Sequence, residues 1–332
     1  MPCFKPLHGF KSPTTGKWIS LQSTNRFDLE EMTIPCGKCT GCRTEYSRQW
    51  AVRCHLEQKW QEKFNRNSVF ITLTYDDDHL PPFGSLRKKD FVAFMKRLRK
   101  QKNSTSDNPL RFYACGEYGD KSGRPHYHAI LFNCSFKQDK EIKKGKNPIY
   151  WSKDLQKAWS HYIQPKEGEK KGKHIPIGFV SWGKVTFESA AYVANYVQKK
   201  INGPLKEEHY KRYYDIDQDG EIILNSDGEY NTQLESEFSL MSRKPGIAAD
   251  WLTYYKDDVY PSDFLTVNGR KMKPPKSFDR QYERDHASEM AAIKELRKEG
   301  MLETAHLRTP EALAYQEKVH KARMSLYQQR KL

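Results

Sequence analysis

The sequence predicts an α+β fold, an antiparallel sheet with flanking helices, and three observations predict it. The stretch Ser68–Tyr75 is β-branched and aromatic and alternates apolar with polar side chains. Two further strand-like runs, Arg111–Cys115 and Pro125–Phe132, are joined by a glycine-rich turn, which suits an antiparallel pair. Segments of helical period, Arg87–Lys102 and Phe187–Ile201, lie between and after these strands.

In chain order, the entry segment contains cysteines and runs into a helix, since Trp50, Cys54, Trp60 and Phe64 recur near helical spacing from Tyr46 onward. In Ser68–Tyr75, Thr72 and Thr74 face away from Ile71 and Leu73, as a half-buried strand requires. Pro81, Pro82 and Gly84 then force a turn. Arg87–Lys102 gathers Phe91, Phe94, Met95 and Leu98 on one face and carries eight Lys or Arg against one Asp, a core-facing helix with a basic back. The loop Asn103–Pro109 leads to the second strand, and a turn through Gly116, Gly119 and Gly123 leads to the third. A basic linker, Lys137–Lys146, is followed by a helix predicted around Trp151–Tyr162, a strand at Ile177–Trp182, and the helix from Phe187, with Thr186 as its N-cap. The expected division is a Cys-rich segment and helix at 1–67, a core at 68–202 and an accessory region at 203–332 that ends in charged helix. The helices are expected on one face of the sheet.

A length of 332 residues suggests about two domains. The net charge of +15 makes a field that favours a polyanion, and a chain that is 13% aromatic offers faces for unpaired bases. A solvated basic surface would carry the same charge. The chain has no long apolar run, and Met1–Lys11 lacks the apolar stretch of a secretory signal, so a soluble intracellular protein without membrane contact is expected. Seven cysteines, four of them between Cys36 and Cys54, suit a metal or free thiols better than a disulfide framework.

The sharpest feature is Arg124-Pro125-His126-Tyr127-His128. Histidines at i and i+2 on a strand point to one face, where two neutral imidazoles can hold a divalent cation and a third ligand would complete the site. Glu117 is the candidate, because an antiparallel return through the glycine turn would bring it beside them. The same two histidines could instead decorate a polar sheet face. The second feature is Tyr192 and Tyr196, at i and i+4 on a helix, with Lys199 on the same flank. A phenol becomes a nucleophile when its proton is removed or its anion stabilised, which a neighbouring ammonium and a metal-bound phosphate would favour. A tyrosine pair at this spacing also describes ordinary core. The third is Cys36-Gly37-Lys38-Cys39-Thr40-Gly41-Cys42, with Cys3, Cys54 or His55 as fourth partner, a spacing that suits structural Zn²⁺ or a reduced thiol cluster.

A metal that polarises a phosphate and a phenol that attacks it compose a full phosphoryl transfer. With PHYH followed by YVANYVQKK, the chain resembles the HUH endonucleases of the replication-initiator type. The order FITLTYDD, histidines, tyrosines fits that branch, whereas relaxases place the tyrosine first. The likeness is nearest to replication initiators of microviruses, the gokushovirus group in particular, through IPCGKCTGCR, FITLTYDDDHLP, CGEYGDKSGRPHYHAILF, AAYVANYVQKK and MSRKPGIAADWL. It implies an HUH-like fold, with His126, His128 and Glu117 holding Mg²⁺ or Mn²⁺, Tyr196 and Tyr192 as paired nucleophiles, and Lys199 assisting. It further implies nicking of a single-stranded origin through a 5′-phosphotyrosine in the bacterial cytoplasm, then strand joining, with host helicase and polymerase as partners. Thr72, Thr74 and Asp76 would shape the site or the DNA contact. The basic helix and Arg243-Lys244 are candidate phosphate contacts. The rival reading is a non-catalytic single-strand binder whose tyrosines stack on bases. A histidine-centred phosphotransferase would want a third alternating histidine where Ile130 stands.

Overall fold

The computed structural model describes residues 3–20, 29–120, 122–165, 172–196 and 205–329. The first stretch of the chain forms β1 (Leu7–Lys11), β2 (Trp18–Ser20), β3 (Glu31–Ile34) and α1 (Thr40–Glu62). Then come β4 (Ser68–Thr74), α2 (Lys88–Gln101), β5 (Arg111–Tyr118), β6 (Pro125–Phe132), β7 (Lys140–Lys143) and β8 (Ile149–Trp151). Next are α3 (Lys153–Ala158), β9 (Ser160–Ile163), β10 (Lys173–Pro176), β11 (Val180–Lys184) and α4 (Phe187–Tyr196). After these lie α5 (Leu205–Tyr210), β12 (Lys211–Ile216), β13 (Ile222–Leu224), β14 (Tyr230–Gln233) and β15 (Phe238–Met241). The chain closes with α6 (Ala249–Val259), β16 (Leu265–Val267), β17 (Arg270–Met272), α7 (Lys276–Asp285), α8 (Ala287–Glu303) and α9 (Pro310–Gln329).

Compactness divides the chain into two units: Met1–Gln49 with Asp257–Leu332, and Trp50–Lys256. These boundaries differ from the three-segment division read from the sequence. In the first unit β1 pairs with both β2 and β3. The helices α7 and α8 bury Phe278, Tyr282, Met290 and Ile293. Arg297 of α8 lies between Asp263 and Asp279.

The second unit is built on a seven-stranded sheet in the order β15-β5-β6-β4-β11-β8-β7, with every pair antiparallel. Strand alternation sends Ile71, Leu73, Tyr127, Ala129 and Leu131 into one core, covered by Phe91, Phe94, Met95 and Leu98 of α2 and by Leu155 of α3. Tyr113, Cys115, Ile130 and Phe132 enter the opposite core, against Trp50 and Cys54 of α1 and Ala190, Val193 and Ala194 of α4. Helices therefore cover both faces, not one. The second face needs cover because β5 and β6 are apolar on both sides over their inner halves.

Other differences follow from the pairing of the strands. β5 runs to Tyr118, taking in Gly116 where a turn was expected, because Gly116 is paired on both sides, with Tyr127 and Phe238, and Glu117 lies on the strand itself. The helix predicted around Trp151–Tyr162 is only α3. On one side Tyr150 pairs with Trp182, and on the other Ser160–Ile163 pair with Lys173–Pro176, so strand pairing overrides local propensity. The basic linker contains the short strand β7. The region after 203 supplies β15 to the central sheet. Thr186 does cap α4: its hydroxyl accepts from the Ser189 amide at 3.1 Å, and the Ser189 hydroxyl lies 2.8 Å from the Thr186 amide. Among the described residues no helix is long and apolar enough to cross a membrane.

Candidate active site

β6 is the middle of the three strands that build the site. His126 and His128 share the face of Ile130 and Phe132, toward the start of the strand. Register supplies their neighbours: Glu117 of β5 is opposite His126. Thr72 and Thr74 of β4 are opposite His128 and His126. Glu117 Oε1 lies 2.7 Å from Nε2 of His126 and 3.1 Å from Nε2 of His128. The ligand atoms of these three residues all lie within 4.8 Å of one another. The carboxylate is buried and His126 is the most open of the three, at 18% side-chain exposure.

The far sides of the rings are held. Nδ1 of His126 is 3.1 Å from the Arg124 carbonyl, which can only accept, so Nδ1 carries the hydrogen and Nε2 is the nitrogen left to bind something else. Nδ1 of His128 is 2.9 Å from the Thr72 hydroxyl. In the neutral ring, the Nε2 lone pair of His126 faces an anionic oxygen, and this is attractive only with positive charge between them. A proton or a divalent cation supplies that charge. Two imidazole nitrogens and a carboxylate oxygen, oriented by second contacts, fit the cation. Burial pushes the Glu117 carboxyl up, but the two facing imidazoles outweigh it and hold the group below the usual carboxylate range.

Tyr192 of α4 borders this cluster. Its ring stands edge-on to His128 with centroids 5.4 Å apart. Phe70, two residues before Thr72 on the same face, stacks on His128 at 5.6 Å. Tyr192 is 39% exposed. Tyr196 is the last residue of α4, one turn beyond Tyr192. Its side chain and Lys199 lie outside the described residues.

The remaining sequence candidates divide. Thr72 meets His128, whereas Thr74 donates to the Phe179 carbonyl at 3.4 Å and Asp76 accepts from the His79 ring at 2.6 Å, so both shape the end of β4. The helix α2 covers the sheet face opposite the histidines, and its Arg97 and Arg99, with Lys102 just after it, donate to the carbonyls of Ala158, Leu110 and Ser135. Arg243 and Lys244 are exposed. The sulfurs of Cys3, Cys36, Cys39 and Cys42 converge within 4.8 Å. Of the other two partners considered, Cys54 is in the sheet core, where burial pushes its thiol well up, and the His55 ring lies against Phe187.

Two contacts were not read from the sequence. Arg124 pairs with Asp77 and donates to the Tyr75 carbonyl at 3.0 Å, fastening the start of β6 to the end of β4. Buried Arg111 and Glu57 lie 3.3 Å apart. Arg111 donates to the carbonyls of Pro245 and Gly246, and Glu57 accepts the Ala248 amide at 2.7 Å. This gives the MSRKPGIAADWL stretch its structural work. The charged residue types were visible, but no spacing signals contacts so distant in sequence.

Residues 68–201, from the start of β4 through the tyrosine motif, match the family model described as Replication-associated protein ORF2/G2P. The chain is 30% identical over 309 residues to Replication-associated protein ORF2 of Spiroplasma virus 4, covering 87% of this chain and 82% of that one. It is 29% identical over 298 residues to Replication-associated protein VP4 of Bdellovibrio phage phiMH2K, covering 86% and 78%. With Replication-associated protein ORF4 of Chlamydia phage 1 it shares 32% identity over 200 residues, 56% of this chain and 44% of that one. No solved structure matches. The chain belongs to the replication-associated protein family of small single-stranded DNA phages, the replication initiators of microvirus type.

Proposed function

We propose that this initiator is an HUH-type endonuclease and strand transferase that starts rolling-circle replication by nicking single-stranded DNA. The observation that carries the reading is the convergence of Glu117, His126 and His128 on one point beside the Tyr192 ring. These three residues would hold Mg²⁺ or Mn²⁺, which supplies charge withdrawal from the scissile phosphate. The chain's own part is nucleophilic. A phenol oxygen of Tyr192 or Tyr196 attacks phosphorus and forms the O–P bond of a 5′-phosphotyrosine. The P–O3′ bond breaks, the phenol proton is lost to solvent and the leaving 3′ oxygen is protonated. The ester keeps the energy of the original bond, so joining needs no nucleotide cofactor. A second tyrosine on the same helical face would cut the regenerated junction, and the freed 3′-OH would attack the first ester to close a circle. Lys199 would stabilise the phenolate, with the host helicase and polymerase opening and extending the strand.

The test is incubation of the purified chain with circular single-stranded DNA of its own replicon and Mn²⁺, read on denaturing gels. The expected result is a metal-dependent nick with DNA attached to protein, lost in His126→Ala. Tight binding with no nick in any metal would leave the non-catalytic binder in its place.

A further inference from the structure

The four-cysteine cluster in the first unit has no part in the proposed nicking chemistry. Its parts come from three places. Antiparallel pairing of β1 with β3, with Leu7 opposite Ile34, carries the residues before β1 alongside those after β3, and so sets Cys3 beside Cys36. Cys36 and Cys39 flank a tight turn in which Gly37 has φ +74°, the left-handed region that glycine enters without strain. Cys39 immediately precedes α1 and Cys42 lies in its first turn, three residues apart and therefore on one side of it.

The sulfurs are arranged as ligands. Cys3 Sγ and Cys39 Sγ are 3.8 Å apart, and all four lie within 4.8 Å. A tetrahedral Zn²⁺ with Zn–S bonds of about 2.3 Å has S···S edges of about 3.8 Å. Backbone amides point at the sulfurs. Cys36 Sγ accepts from Cys39 at 3.3 Å, Cys39 Sγ from Phe4 and Cys42 at 3.4 Å each, and Cys3 Sγ from Cys36 at 3.2 Å. Such donors spread the charge that bound thiolates carry. The chain neighbours Lys5, Lys38 and Arg43 add positive charge. All four cysteines are free thiols.

We infer that Cys3, Cys36, Cys39 and Cys42 hold one structural Zn²⁺ that ties the N-terminal strands to the start of α1. The site is closed, with four protein ligands and no position for substrate, so its role is folding rather than catalysis. The inference is independent of the nicking reading. It selects Cys3 over Cys54 and His55 as the fourth ligand.

The experiment is metal analysis of the full chain purified under reducing conditions, with Co²⁺ exchanged in for its visible spectrum. The expected result is one equivalent of zinc per chain and cobalt bands of a tetrahedral four-sulfur site. Both persist in Cys54→Ala and in the His126→Ala/His128→Ala variant. In Cys3→Ser the zinc is held more weakly and the cobalt spectrum changes to that of a three-sulfur set. A metal-free wild-type chain with four reactive thiols would overturn the inference. So would zinc that follows the histidines, or a four-sulfur spectrum that survives Cys3→Ser. The wild-type stoichiometry and spectrum decide even where a cysteine variant fails to fold.

Discussion

The contact between Thr72 and His128 is the smallest one on which the proposed chemistry depends. The hydroxyl sits 2.9 Å from Nδ1 and fixes which way the ring presents Nε2. Removing such a second contact commonly costs 10–100-fold in metal affinity, so Thr72→Val should weaken Mn²⁺ binding by roughly that factor and Thr72→Ser should restore it. Isothermal titration reads this directly, and equal affinities in all three proteins would remove Thr72 from the site. At the same scale, Glu45 accepts two hydrogen bonds from Arg48, at 2.6 and 2.8 Å. Burial raises its carboxyl, but Arg48 and Gln49 outweigh burial and hold it below the ordinary value of 4.5. A depressed carboxylate contributes stability that is fully present above the unfolded pKa and is lost as pH falls through the folded one. Melting temperature measured below about pH 5 should therefore fall less steeply in Glu45→Gln than in the parent. Identical acid limbs would count against this pairing.

Strands and their register place these residues, and two substitutions probe the placement. A Cβ built on Gly116 would stand 2.8 Å from the Phe238 ring and 3.2 Å from Leu86. Gly116→Ala should push β15 off β5 and cost about 1–3 kcal/mol in denaturant melts, as overpacking does. Arg111→Met leaves Glu57 as an uncompensated buried charge and should cost about 3–5 kcal/mol, with Arg111→Met/Glu57→Leu recovering part of it. An unchanged midpoint in either single variant would contradict the packing described. The His strand was legible because i, i+2 histidines must share a face. Glu117 was legible because a glycine turn between two strands implies an antiparallel return. The core face of α2 was legible from Phe91, Phe94, Met95 and Leu98, all buried. What could not be read depends on partners far along the chain. Phe238–Met241 is four residues long and becomes a strand only against β5. Trp151–Tyr162 has helical pattern, yet its ends are captured by strands on either side. The fourth member of the cysteine cluster depends on the pairing of β1 and β3, which no local signal announced.

For the whole molecule, the net charge of +15 sets the terms on which DNA arrives. Counterion release makes each phosphate contact on a single strand contribute about 0.7 to the slope of log affinity against log salt. If Arg243 and Lys244 both touch phosphate, the double alanine variant should lower that slope by about 1.4, and a flat response in the parent would sink the electrostatic account. Membership of the replication-associated family places the chain in phage DNA replication, and Glu117, His126 and His128 come together on one face of the sheet. In the proposed reaction a tyrosine of the α4 motif becomes covalently joined to the DNA. Mass spectrometry of the protease-digested adduct locates that bond. The expected result is a nucleotide attached at Tyr192 or Tyr196, with attachment abolished in the double Phe variant. An adduct on any other residue, or cleaved DNA that carries no protein, would contradict it.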